Sequence, residues 1–271
     1  MLPRCLPLLL VAACASKGGE GARGQGDTPE VVVPPAPAGA AWKTARGAAW
    51  REVLEDLARA DVVFVAADDD AMRLAVLQYL FDRGHLHAIA LDAFSRTAQP
   101  ALDDFSFQRI DEAELEKRCG PWGNACTPAL AFARERRLPV LGLGVEAEIL
   151  DAVGKGGLEG LTEEQRRSLP AVRPDASPHP APPGSSIVNS LVVEVAVDVL
   201  VRWYRETAPE GAQVVVLSRW IAPKSLLPER LRARNGKTCR TLVALQGTAD
   251  AADRSVFAES YADYVWFVPP K

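Results

Sequence analysis

The chain has 271 residues, 48% hydrophobic, 24% charged and 7% aromatic, with 31 Lys and Arg against 35 Asp and Glu for a formal net charge of −4. A chain of this length and composition can bury enough surface to build a core, which excludes disorder throughout. Its mildly acidic balance, with no dense run of Lys or Arg, gives no electrostatic footprint for nucleic acid or an anionic membrane surface.

The first apolar run, Cys5 to Val11, is shorter than the roughly 20 residues needed to span a bilayer. With Arg4 before it and Val11-Ala12-Ala13-Cys14 closing it, it reads as a bacterial lipoprotein signal peptide over residues 1–13. Cleavage before Cys14 would leave that thiol to carry a diacylglyceryl anchor, making the lipid bilayer an expected partner. Ala15 and Ser16 lack the Asp that commonly retains such proteins at the inner membrane. By similarity to Gram-negative lipoproteins, the expected location is the outer membrane, facing the periplasm. Residues 14–41 are Gly, Ala, Pro and scattered charge around Val31-Val32-Val33, and read as a flexible tether to a single domain over 42–271.

Within that domain, Trp50, Val53, Leu54 and Leu57 have helical spacing, and Asp61 leads into the strand-length run Val62 to Ala66. A helix is predicted from Asp70 to Arg83 and a buried strand from Ala88 to Leu91. Helices follow over Ala98 to Phe105, Asp111 to Arg118 and Pro128 to Arg137. Pro139 to Leu143 reads as a third strand, and Glu146 to Lys155 as a helix stopped by Gly156-Gly157. Thr162-Glu163-Glu164-Gln165 has the form of a capping box opening a short helix that ends at Pro170. The Pro-rich stretch 170–184 reads as an extended surface loop. Beyond it come a helix over Ser185 to Glu206, a strand over Gln213 to Leu217 and a helix over Leu226 to Arg234. Strands over Thr241 to Leu245 and Tyr264 to Val268 complete the pattern. Strands apolar on both faces and separated by helices predict an α/β domain, a largely parallel sheet flanked by helices on both faces. Ligands in such a sheet bind beyond the carboxyl ends of the strands.

Those ends carry Asp68, Asp69 and Asp70 after the first strand, Asp92 after the second, Glu146 after the third and Ser218-Arg219-Trp220 after the fourth. Asp68, Asp69 and Asp92, with Arg219 beside them, would suit a hard cation or a protonated general acid. The alternative is that the carboxylates after the first strand cap the following helix, with Glu146 and Glu148 doing the same further on. Cys119 and Cys126 flank a loop holding two Gly and one Pro, and a disulfide between them is the main expectation, with a metal site as the rival reading. Cys239 lies in an apolar run and reads as a buried free thiol. His85 and His87 precede the second strand on a loop at the far end of the sheet, and His179 lies in the Pro-rich stretch, so no histidine pair has the i, i+4 spacing of a zinc helix. Serine-hydrolase, dinucleotide and P-loop signatures are missing from the sequence.

From about Asp61 onward, the order of these segments resembles the ChaN-like lipoproteins of the haem-binding uptake and Tiki superfamily. Val62 to Asp70 stands where the family has a strand running into G-E-x-H-D, and Ala90-Leu91-Asp92-Ala93-Phe94 where it has G-L-E-M-F. Gln99-Pro100-Ala101-Leu102-Asp103 continues that block. Leu138 to Leu143, Glu148-Ile149 and Gly156 to Glu164 are similar to the family's middle section, and Ala262 to Trp266 to its final strand. The resemblance implies a single α/β domain and haem or iron binding or uptake. The departures fall on the chemistry: Ala67 and Asp69 replace the family's Glu and His, Asp92 replaces a Glu, and the region from Ser218 to Pro223 has no His where the family has G-N-G-H. The expected function is therefore haem or iron binding in a membrane-anchored protein whose catalytic constellation has decayed. Tyr79, His85, His87, Tyr204 and Tyr261 are the candidate axial ligands. Two other readings stand beside it. One is a residual metal-dependent hydrolase on Asp68, Asp69 and Asp92. The other is a non-catalytic protein that binds an envelope partner through Trp220 and the Pro-rich loop.

Overall fold

The run Val62 to Ala66 has no polar side chain because both of its faces and both of its edges are covered. In the computed structural model, which describes residues 31–43, 46–123, 126–172, 185–218, 224–258 and 261–269, it is the central strand of a sheet. The signal peptide, Cys14, most of the Pro-rich loop with His179, and Arg219 and Trp220 lie outside the described residues.

The described strands are β1 (Ala40–Lys43), β2 (Arg46–Ala48), β3 (Val62–Ala66), β4 (Leu86–Ser95), β5 (Val140–Gly144), β6 (Gln213–Leu217), β7 (Cys239–Gln246) and β8 (Tyr264–Val268). They form one sheet in the order β2-β1-β8-β7-β3-β6-β4-β5. All pairs from β3 to β8 are parallel, whereas β1 runs antiparallel to both β8 and β2. The described helices are α1 (Trp50–Leu57), α2 (Asp70–Asp82), α3 (Gln99–Ser106), α4 (Glu112–Cys119), α5 (Thr127–Arg136), α6 (Ala147–Gly156), α7 (Glu163–Ser168), α8 (Ser185–Glu206) and α9 (Leu227–Asn235). None of them is long and apolar enough to cross a membrane.

Alternate residues of β3 serve opposite cores, as the pleat requires. Val63 and Val65 pack with Leu54, Leu77, Leu102 and Leu130 of α1, α2, α3 and α5. Val62, Phe64 and Ala66 pack with Val197 and Leu200 of α8 and Leu231 of α9. The predicted α/β layering is therefore the observed one, and the capping box at Thr162 and Gln165 forms at the start of α7.

Two stretches differ from the sequence expectation. The strand expected to stop at Leu91 runs on to Ser95 and begins at Leu86, so His87 stands in β4 and not on a loop. Gly142 and Gly144 of β5 make the extension possible, because a Cβ on Gly142 would lie 2.5 Å from the Ser95 carbonyl and one on Gly144 would lie 2.7 Å from that of Asp92. The last residues assigned to the tether, Ala40 and Ala41, belong to β1, and Val31 and Val33 already pack on the core. A strand of Ala, Trp and Lys has no clean alternation to read; its pairing with β8 creates it.

Polar ties fix the two ends of this framework. Asp61 accepts hydrogen bonds from the Thr238 backbone N–H and hydroxyl, both at 2.8 Å, and lies 3.3 Å from Lys237, locking the entry of β3 to that of β7. Asp56 of α1 accepts from Arg240 and from the Tyr264 hydroxyl, each at 3.0 Å, with Lys43 at 3.7 Å. On the other face, Glu194 of α8, 1% exposed, is held by Arg230 at 2.7 Å and by Arg234, both from α9. Glu194→Ala would strand two guanidinium groups and should cost about 2–3 kcal/mol in urea unfolding, less than a fully buried triad because both arginines retain some solvent.

Burial alone would raise the pKa of Asp56 and Asp61, but the hydrogen bonds and cations around each bring both below the ordinary 3.8. Their contribution is fully present above the unfolded value and lost as pH falls through the folded one. Stability should therefore hold above about pH 5 and decline below pH 4. In Asp61→Asn, whose stability is lower throughout, the acid-induced decline measured by urea titration should be smaller.

Candidate functional site

The parallel strands present their carboxyl ends together, and the order in which they are added changes direction at β3, with β4 and β5 on one side and β7 and β8 on the other. Crevices form at such a reversal. Here β3 opens into Ala67 and Asp68 before α2 begins. Asp69 is the N-cap of α2, its carboxylate accepting from the Ala71 N–H at 3.1 Å, so the capping reading holds for that residue. Asp68 is exposed and lines a cavity of about 280 Å³ with Ala66, Val243, Leu245 and Tyr261.

Asp92 sits in the extended part of β4 and accepts a hydrogen bond from the hydroxyl of Ser218, which follows β6. Beside it lies Cys126, whose thiol is pushed up first by burial and then by the charges of Asp92 and Asp70, against the opposing pull of Arg73. Arg73 is 6% exposed and lies 3.4 Å from Asp70. The rings of Phe94 and Trp122 meet at a 49° tilt with centroids 5.3 Å apart. Asp69 therefore sits in a helix cap, Asp92 meets Ser218 and Cys126, and Asp68 lines the cavity with Tyr261. Among the described residues, no three His, Cys, Asp or Glu side chains converge as a metal-holding group. Arg219 lies outside the described residues.

The expected Cys119–Cys126 disulfide is not formed in the structure; both are free thiols. Cys119 ends α4 beside Arg118, whereas Cys126, ahead of α5, is set against Asp92 and Arg73, so the Gly-Pro loop turns the chain without a cross-link. Cys239 is the buried free thiol the sequence suggested, pushed up to about 12 by burial. Glu146, expected to cap α6, makes no cap hydrogen bond and faces Arg96 at 3.8 Å instead.

The candidate axial ligands separate clearly. Tyr79 is 1% exposed in the core, its hydroxyl accepting from Arg83 at 2.9 Å. Tyr204 donates to the Asp61 carbonyl at 2.7 Å, and burial pushes its phenol well above the usual range. His85 and His87 stand at the amino end of β4, with His87 Nδ1 2.5 Å from the His85 carbonyl. Tyr261 alone of the five reaches the carboxyl ends. It is half-buried, its pKa is raised by burial, and its hydroxyl makes no hydrogen bond among the described residues. A larger groove of about 690 Å³ runs along the free edge of β5 between the two helical layers, lined by Phe107, Leu141, Val199 and Trp203 among others, and among the described residues its lining contains no His, Tyr, Cys or Met.

A family model described as haem-binding uptake, Tiki superfamily, ChaN matches residues 53–195, just over half of the chain. The chain belongs to that family. Among solved structures it is similar to that of cofacial haem binding to ChaN of Campylobacter jejuni, at 16% identity and a TM-score of 0.55, with 84% of this chain and 96% of the other covered. That likeness establishes the shared fold. No curated protein matches the chain. The family match spans β3 to β5 and the first half of α8, and so includes Asp68 and Asp92, whereas Ser218 and Tyr261 come from the segment beyond it. Arg73 and Cys126 were invisible as site residues in the sequence because one lies in a helical stretch and the other in a loop, and the meeting of Cys126 with Arg73 and Asp92 depends on the sheet.

Raised thiol pKa values leave little thiolate at neutral pH. Cys119 and Cys126 should alkylate more slowly than free cysteine at pH 7.5 and speed up above pH 9, and Cys239 should react only after denaturation. Mass-spectrometric mapping of iodoacetamide adducts on the full chain checks all three.

Proposed function

We propose that this chain is a lipid-anchored haem-binding protein of the cell envelope that takes ferric haem as cargo on Tyr261. The observation that carries the reading is the placement of Tyr261, a phenol open to the cleft at the carboxyl ends of β3 and β7 with no hydrogen bond among the described residues. A tyrosine oxygen is an established ligand type for haem iron. The walls supplied by Ala66, Val243 and Leu245 suit an apolar macrocycle. At about 280 Å³, however, the cavity is at the small end for an organic ligand, so it fits the iron side of a porphyrin laid across its mouth and not a fully enclosed one.

Because burial raises the Tyr261 pKa, ligation must displace a proton from a phenol that holds it tightly. Hemin affinity should therefore rise with pH between 6 and 9. Titration followed in the Soret region should saturate at one hemin per chain in the wild type, and Tyr261→Phe should weaken it at least tenfold and remove the pH dependence. Unchanged binding by Tyr261→Phe would refute the assignment.

Support for a non-catalytic role comes from two of the positions where the chain departs from the family pattern: the Ala67 side chain has no donor atom, and the Asp69 carboxylate is engaged by the Ala71 N–H. Anchoring rests on Val11-Ala12-Ala13-Cys14. Cys14→Ser should abolish metabolic labelling with palmitate and move the protein from the membrane to the soluble fraction.

A further inference from the structure

The Tyr261 phenol lines its cleft with no hydrogen bond of its own among the described residues, so its position is set through the backbone that carries it. The carrier is the arm Tyr261-Ala262-Asp263, which leads into β8 and is gripped at both ends. At one end, Asp263 is locked to β7. Its carboxylate accepts from the Thr241 backbone N–H at 2.8 Å and from the Thr241 hydroxyl at 3.1 Å, and its own N–H donates to that hydroxyl at 2.7 Å. At the other end, the Tyr261 carbonyl accepts from the backbone N–H of Lys224 at 2.9 Å. Lys224 also reaches along the arm, its ammonium 2.7 Å from the other carboxylate oxygen of Asp263, in a pair whose side chains are 26% and 14% exposed.

An ion pair of this length and burial is a charge-assisted hydrogen bond, stronger than a solvated surface pair. One residue of the connection between β6 and α9 therefore holds the arm at both Tyr261 and Asp263, with Ala262 buried in the core between them. Groups that orient a metal ligand without touching the metal commonly matter about 10- to 100-fold in affinity. We propose that Lys224 is the positioning residue of the Tyr261 site, its ammonium fixing the arm so that the phenol faces the cleft at the carboxyl ends of β3 and β7. The effect on hemin rests on the proposed ligation by Tyr261, whereas the placement of the phenol does not.

Lys224→Met removes the ammonium, keeps the backbone N–H and leaves Asp263 its bonds to Thr241, so the fold should persist; Lys224→Gln carries the same test if circular dichroism finds Lys224→Met unfolded. The full chain carrying Cys14→Ser and labelled with 3-fluorotyrosine has four tyrosines to resolve by fluorine NMR, and Tyr261→Phe identifies the Tyr261 resonance. Lys224→Met should shift and broaden that resonance while those of Tyr79 and Tyr204 stay in place. Hemin affinity should fall about tenfold, with loss of the phenolate-to-iron charge-transfer absorption. Lys224→Arg should restore both. A wild-type Tyr261 resonance in the folded neutral variant, or no restoration by Lys224→Arg, would overturn the positioning role. Hemin binding indifferent to Tyr261→Phe would overturn the haem assignment alone, and the fluorine spectra would then decide the positioning role by themselves.

Discussion

A strand buried on both faces and both edges has only its two ends through which to reach solvent, and β3 is such a strand. Its backbone is hydrogen-bonded to β6 and β7 along its length, and its side chains fill the cores beneath α1, α2, α3 and α5 on one face and α8 and α9 on the other. The amino end is sealed by the carboxylate of Asp61, which accepts from Thr238 and Lys237 of the segment leading into β7. The carboxyl end is left for function. Ala66, Ala67 and Asp68 emerge there into a cleft whose far wall belongs to β7 and to Tyr261.

The same logic places the polar residues that emerge from neighbouring strands. Because β6 lies beside β4, Ser218 at the end of β6 comes within hydrogen-bond reach of Asp92. The β4 backbone reaches that position by crossing Gly142 and Gly144, where any side chain would collide with a carbonyl oxygen. Two apolar openings result, with different chemistry. The cleft at β3 and β7 has a phenol and a carboxylate in a small space, and the groove at the β5 edge has more than twice the volume. Among the described residues, the first is lined by a tyrosine, whereas the lining of the second has no His, Tyr, Cys or Met.

Period and punctuation in the sequence determined most of the framework. β3, β6, β8 and α8 run between the residues expected of them, the Thr162 capping box forms, and the apolar runs specify a parallel sheet with two helical layers, because such strands are stable only when covered on both sides. Local chemistry also fixed Asp69 as a cap and Cys239 as a buried thiol. Tertiary structure alone decided the rest. The extension of β4 depends on glycines some 50 residues away, and β1 exists as a strand because β8 offers it an edge. The strand order set Asp92 beside Ser218, and of the five tyrosine and histidine candidates it brought Tyr261 to the carboxyl ends of β3 and β7. Residue types and spacing record what a segment can form; which distant segments meet is set by the sheet, where a single inserted strand moves neighbouring ends roughly 5 Å apart.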